Sequence, residues 1–327
     1  MSEELPFANA LKSSSAFKLI KNDFSLGLGN AYLIISPDED AVQSFFRLIG
    51  CAVFCEQQHS ACLECSTCMQ VLHYNHPDIK FFNQEKEAIK MDAMRDYLND
   101  IRLIPFSNHL LVFIERLDLS QDRVMNTLLK TLEEPPKGVS FFIGTANENG
   151  ILDTIKSRCR KVYLDVFDND IIIEELTRLD VSQEDAEIAA VLADGQLGKA
   201  RRMALSDKFK QEYEDISTIL KKIQKSTDII YYDGLFGNKK DNIEMLNIMS
   251  TLLRDVMLYK RNECHLKDGI VKENIMEIAE TFTEKSAAKS IEAINVAKGK
   301  LASNAPNIVA IIDSLLFSIL EEKHKWQ

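Results

Sequence analysis

The chain lacks any uninterrupted apolar run near the roughly 18 residues that a membrane-spanning helix needs, so no membrane anchor is expected within its 327 residues. It is also short of positive charge. Lys and Arg number 39 against 50 Asp and Glu, a formal net charge of −11. Wrapping nucleic acid alone takes a surplus of basic side chains to displace counterions from phosphates. Any contact with DNA is therefore expected to be local, or shared with partners. The opening residues Met1-Ser2-Glu3-Glu4-Leu5 lack the basic-then-apolar order of a secretory signal, and the cytoplasm is the expected location. Seven cysteines do not read as a disulfide framework in a chain of this size. Five of them fall between Cys51 and Cys68, a clustering that points to metal ligation.

The composition itself is that of a folded globular chain, 46% hydrophobic and 27% charged, and the length suits two or three domains. The first half alternates strand-like and helix-like runs. Ala31–Ile35 reads as a buried strand, Asp38–Phe54 as a helix, Asp78–Phe82 as a strand and Met91–Ile104 as a helix. His109–Ile114 is a strand and Ser120–Leu132 an amphipathic helix stopped by Glu133-Glu134-Pro135-Pro136. Val139–Gly144 and Lys161–Leu164 close the series as strands, with a short turn or helix at Ile151–Ser157 between them. Such alternation predicts a mostly parallel sheet with helices on both faces and a ligand site at the carboxyl ends of its strands. From about Asp165–Asp170 to Gln327 only helical periodicity remains, broken near Gly195 and Gly198, near Leu205, and by an expected loop at Tyr231–Lys240.

Four strings are distinctive, and Leu128–Pro136 among them reads mainly as architecture, a helix stopped by paired prolines. They are Asn30-Ala31-Tyr32-Leu33-Ile34; Cys62-Leu63-Glu64-Cys65-Ser66-Thr67-Cys68, followed by His76-Pro77-Asp78; Leu128-Leu129-Lys130-Thr131-Leu132-Glu133-Glu134-Pro135-Pro136; and Ser157-Arg158-Cys159. In order and spacing they resemble the clamp-loader subunits of bacterial DNA polymerase III, a branch of the AAA+ family. The resemblance covers roughly the first half of the chain and thins after Arg202. It implies an AAA+ α/β domain over residues 1–165 with a zinc module at about 51–76, a small helical lid domain over 166–205, and a helical collar over 206–327. It further implies a hetero-oligomer with the ATPase (gamma/tau) and delta subunits, acting on a sliding clamp and, through the assembled complex, on primed DNA, with no membrane role.

The phosphate loop separates the hydrolysing members of this family from the others. ATP binding of that kind needs glycine-rich backbone with free amides, then Lys and Ser/Thr. After the first strand this chain has Ser36-Pro37-Asp38-Glu39-Asp40-Ala41-Val42. It offers no glycine and no lysine there, Pro37 removes an amide donor, and three carboxylates stand where phosphates would approach. The next acidic motif reads Ile114-Glu115-Arg116-Leu117-Asp118, with Arg116 in place of an acid. Glu115 is expected at an ordinary solvated strand end. No bound ATP is expected, and an ATP-hydrolysing motor subunit is the alternative that the loop disfavours.

Within the resemblance, Arg158 is the arginine that reaches across a subunit boundary to a neighbour's ATP, as an arginine finger. A permanently charged, planar guanidinium suits the spread charge of a transferring phosphoryl group. Ser157 and Cys159 are expected to shape its loop. The gaps between Cys62, Cys65 and Cys68 let three thiolates converge on one tetrahedral Zn²⁺. The iron–sulfur alternative stops at Leu72, where a fourth cysteine would be needed. For the fourth ligand Cys51 and Cys55 share a helix face and His59 is a further candidate. Phe54-Cys55-Glu56-Gln57-Gln58 resembles the family's end of this helix and favours Cys55. A closed four-ligand set is structural, with no open position for catalysis. Thr145 is expected to hydrogen-bond at its strand end, and Lys199-Ala200-Arg201-Arg202 to balance a helix terminus.

Overall fold

The computed structural model describes residues 5–57, 60–83, 85–101, 109–233, 235–236, 239–263, 269–303 and 307–326. The chain divides into two compact units: Met1–Glu175 with Gly195–Lys199, and Leu176–Asp194 with Ala200–Gln327.

The first unit opens with α1 (Ala8–Ser13) and α2 (Ser15–Leu26), the second capped by Ser14, whose Oγ accepts the Phe17 amide at 3.1 Å. Then follow β1 (Ala31–Ile35), α3 (Glu39–Phe54), α4 (Ser66–Leu72), β2 (Ile79–Phe82), α5 (Met91–Asp100) and β3 (Leu110–Ile114). A 3₁₀ turn at Leu117–Leu119 leads into α6 (Asp122–Glu133), β4 (Val139–Thr145), α7 (Asp153–Lys156), β5 (Arg160–Tyr163) and α8 (Asn169–Thr177). The five strands form one sheet in the order β2-β3-β4-β1-β5, parallel at every pairing. Strands buried on both faces suit the near-continuous apolar runs of β3 and β4.

Each face has its own core. On one, Leu33, Val112, Ile114, Phe141 and Ile143 pack against Met94, Val124, Met125 and Leu128 of α5 and α6. Across the other runs a row of four rings, one from each of β2, β3, β4 and β1. Phe81 stacks on Phe113 at 5.0 Å, Phe113 meets Phe142 at 5.2 Å, and Phe142 stacks on Tyr32 at 4.8 Å. These are register neighbours, so β pairing alone brings the rings together. Phe46 of α3 lies on the row, 4.9 Å from Phe113. Gly144 gives α3 its closeness, because a Cβ there would lie 3.0 Å from Val42 Cγ1. The row ends at the Tyr32 hydroxyl, which donates to Asp23 at 2.8 Å and accepts the Gly29 amide. Arg160 pairs with the same Asp23.

Beyond α8 the described residues are helical: α9 (Gln183–Leu192), α10 (Leu197–Ala204), α11 (Asp207–Lys222), α12 (Ser226–Asp233), α13 (Lys239–Lys260), α14 (Ile270–Thr281), α15 (Glu284–Ala302) and α16 (Ile308–Lys325). A capping box of Thr283 and Ser286 starts α15, and Asn307 caps α16 through the Ala310 amide. The fold class is the expected one, a parallel α/β domain with helices on both faces and then an all-helical region. Two local expectations are corrected. The loop expected at Tyr231–Lys240 is shorter, since α12 continues through Asp233 and α13 begins at Lys239. The helix expected to run to Ile104 ends at Asp100, and residues 102–108 lie outside the described set.

Candidate functional site

The carboxyl end of β1, between β4 and β5, is the switch point of this sheet, since the chain passes over β1 to go from β4 to β5. The loop after β1 lies there, and its three carboxylates are all engaged. Asp38 caps α3, its Oδ1 accepting the Ala41 amide at 3.3 Å, while Oδ2 accepts the Gly198 amide at 2.7 Å. Glu39 pairs with Arg116. Arg116, in left-handed backbone at φ 49°, also grips Asp118 with two bonds of 3.0 and 3.1 Å. Asp40 pairs with Lys86 at 2.5 Å. The mutual repulsion of these neighbouring acids is offset from within the chain, by the two cations Arg116 and Lys86.

Glu115 departs from expectation. It is not at a solvated strand end but 2% exposed, and its Oε1 has no hydrogen-bond partner. Burial drives its carboxyl up to about 7, with Lys86, Gln43 and Arg47 pulling the other way. Thr145 behaves as expected: its hydroxyl donates to the Asn147 carbonyl and accepts the Asn147 amide.

Arg158 lies at the opposite rim. It follows α7 and precedes β5 by one residue, and because β5 runs parallel to β1 it sits at the strands' amino ends. A strand of five residues spans about 16 Å, so Arg158 is a strand's length from the loop after β1. Its Nη1 donates to the Thr154 carbonyl at 2.7 Å, and its Nη2 to Glu133 of α6. Ser157 ties back to Thr154 at 3.1 Å. Cys159 is buried, which pushes its thiol up to about 12 and leaves no reactive thiolate. The Leu128–Pro136 string is architectural on its Leu128 and Leu132 face, which is buried. Its Glu133, on the other side, is a contact to Arg158 that the string alone did not disclose.

The cysteines converge. Cys55, at the C-cap of α3, Cys62, Cys65, the N-cap of α4, and Cys68 bring their sulfurs within 4.8 Å of one another. Tetrahedral Zn–S bonds of about 2.3 Å would set sulfurs about 3.8 Å apart; Cys62 and Cys68 lie at 4.0 Å. Amides of Cys62 and Gln57 donate to the Cys55 sulfur, that of Cys65 to Cys62, and that of Cys68 to Cys65. Burial opposes ionisation of Cys55, but these amides and the Ser60 hydroxyl outweigh it and hold its thiol at about 6. Cys68 is pushed up, first by its bond with Cys51 and then by burial. Four cysteine sulfurs this close are compatible with a structural zinc. Cys51 stands behind the group, its sulfur 3.7 Å from the Cys68 carbonyl. His59 lies outside the described residues. No helix among the described residues is long and apolar enough to cross a membrane.

Residues 13–168 match the family described as DNA polymerase III, delta subunit. The DNA polymerase III subunit delta' of Bacillus subtilis is 25% identical over 287 residues, 85% of this chain and 84% of that protein. Its Escherichia coli counterpart is 28% identical over 253 residues, 74% of each. Subunits named tau and gamma match as well. A solved gamma subunit-related protein of Thermotoga maritima aligns with 94% of this chain and 99% of its own, at 16% identity and a TM-score of 0.43. With the four strings in their order, the parallel sheet and the four converging cysteines, the chain resembles the delta-prime subunit of the bacterial DNA polymerase III clamp loader.

Proposed function

We propose that this chain is the non-hydrolysing stator of a clamp loader in DNA replication, and that Arg158 completes the ATP site of a neighbouring subunit in trans. One observation carries the reading: the loop after β1 is filled by its own paired carboxylates, while Arg158 stands on the far rim of the same sheet. The arginine is too far from that loop to serve it and half-exposed enough to be offered elsewhere. A gamma/tau-type ATPase is the subunit it would serve, with delta, the sliding clamp and primed DNA as the other members of a cytoplasmic assembly. Residues 166–205 would act as the lid domain and 206–327 as the collar. Cys55, Cys62, Cys65 and Cys68 would hold a Zn²⁺ that keeps the insertion between α3 and β2 folded.

The test is clamp- and DNA-stimulated ATP hydrolysis by the reconstituted loader, with wild type against Arg158→Ala. A trans finger is worth on the order of 10³–10⁵ in rate at the site it completes. Loss of that site's turnover, with the assembly intact by gel filtration, is expected. Unchanged turnover would reduce Arg158 to a loop residue. Equilibrium binding of a fluorescent ATP analogue to the isolated chain addresses the motor alternative, represented by the tau and gamma relatives. Tight, saturable binding would favour that alternative and overturn the stator.

A further inference from the structure

Asp38 is nearly fully buried, and it serves two helices at once. Its Oδ1 accepts the Ala41 amide in the first turn of α3, and its Oδ2 accepts the amide of Gly198, the second residue of α10. Both amides belong to the set that a helix leaves without partners at its amino end, where the aligned peptide dipoles favour an anion. One carboxylate therefore lies between two helix N-termini, at the switch point where a parallel sheet of this kind would place a phosphate.

Gly198 is built for this approach. Its backbone conformation is ordinary for any residue. A Cβ there, however, would fall 2.4 Å from Asp38 Oδ1 and 2.6 Å from the Asp40 Cβ. The segment Gly195–Lys199 has a second tie, from the Phe167 amide to the Gly195 carbonyl at 2.9 Å. Gly195, at φ +78°, turns the chain between them. The flanking acids Glu39 and Asp40 pair with Arg116 and Lys86, while the two oxygens of Asp38 each accept a backbone amide.

We propose that the Asp38 carboxylate is a built-in anion that pins the start of α10 to the loop after β1, so that this segment is held without any nucleotide. The proposal concerns the isolated chain and is independent of whether Arg158 acts in trans. A charge-assisted bond of this kind, once lost, leaves a buried amide unsatisfied.

Hydrogen exchange followed by mass spectrometry tests it on the full chain. In wild type, the peptide covering 195–204 should be protected with no nucleotide present, and millimolar ATP should leave its exchange unchanged. Asp38→Asn keeps the side chain's size but has one oxygen where two are needed. Gly198→Ala breaks the same contact from the other side. Each should speed exchange in 195–204 by about tenfold or more, while the peptide covering β4 stays protected. Unprotected 195–204 in wild type, protection that appears only with ATP, or exchange unchanged in both variants would each overturn the proposal. The wild-type arm decides even if a variant fails to fold.

Discussion

Glu133 in the last turn of α6 holds the guanidinium of Arg158, which stands in the loop before β5. The Thr154 carbonyl takes a second of its N–H groups at 2.7 Å. The side chains are 33% and 49% exposed, so solvent screens the pair and its contribution to stability is small. The ion pair orients the arginine without binding it tightly. Glu133→Gln should therefore shift urea-unfolding stability by no more than about 1 kcal/mol. A loss several times larger would make the pair a structural strut instead.

The cysteine geometry predicts a sharp division within one helix. Cys55→Ser, Cys62→Ser, Cys65→Ser or Cys68→Ser should each lower the zinc bound per chain well below one, measured on purified protein by atomic emission. Cys51→Ser, four residues before Cys55, should keep its zinc, since its sulfur touches Cys68 but lies outside the four that converge within 4.8 Å of one another. Chelation should expose the segment around 55–72 to protease while β1 and β4 stay protected.

Glu115 should make stability depend on pH. Its carboxyl is raised from 4.5 to about 7, chiefly by burial. Between those values the folded chain keeps a proton that the unfolded chain has lost, so stability falls as pH rises through this window. The loss reaches about 3 kcal/mol above pH 7. In Glu115→Gln this fall should be absent, and the variant should be the more stable of the two at pH 8. Urea unfolding at pH 5 and pH 8 gives the comparison. Parallel losses in both proteins would rule Glu115 out as the source.

Lys323 should act with the opposite sign. It is buried in α16, its ammonium donating to the carbonyls of Leu220 and Ile223 at the end of α11, and burial pushes it down to about 8. The unfolded chain holds this proton up to about 10.5, so above pH 8 the unfolded state binds more protons and stability rises with pH. Lys323→Met should show a flatter profile between pH 8 and pH 10. An identical slope would contradict the assignment.

Much of this was legible in the sequence because it depends on local order. β1 occupies the expected Ala31–Ile35, since a short apolar run closed by Ser36-Pro37 has few other readings. The spacing of Cys62, Cys65 and Cys68 is a matter of reach along one turn. What the sequence did not disclose depends on distant residues. Glu115 looked solvated because nothing beside it in the chain shows that Gln43, Arg47 and Lys86 surround it. The engagement of Asp38 by Gly198 joins positions 160 residues apart. Lys86, which neutralises Asp40, sits in a stretch with no motif at all. Helices α1 and α2 carry no distinctive string either, and they enter the core through Leu11, Phe17 and Ile20.

A parallel sheet has two chemically different rims, and in this chain they carry different charged groups. The amino rim presents a cation on a loop. The carboxyl rim, where such sheets ordinarily receive ligands, is already filled by the chain's own charges. If Arg158 acts in trans as proposed, then in a row of similar subunits, each lending an arginine to the next, this chain would give one without holding a nucleotide of its own. Its natural place would be the terminus of the row, and one such member would give the whole assembly a direction.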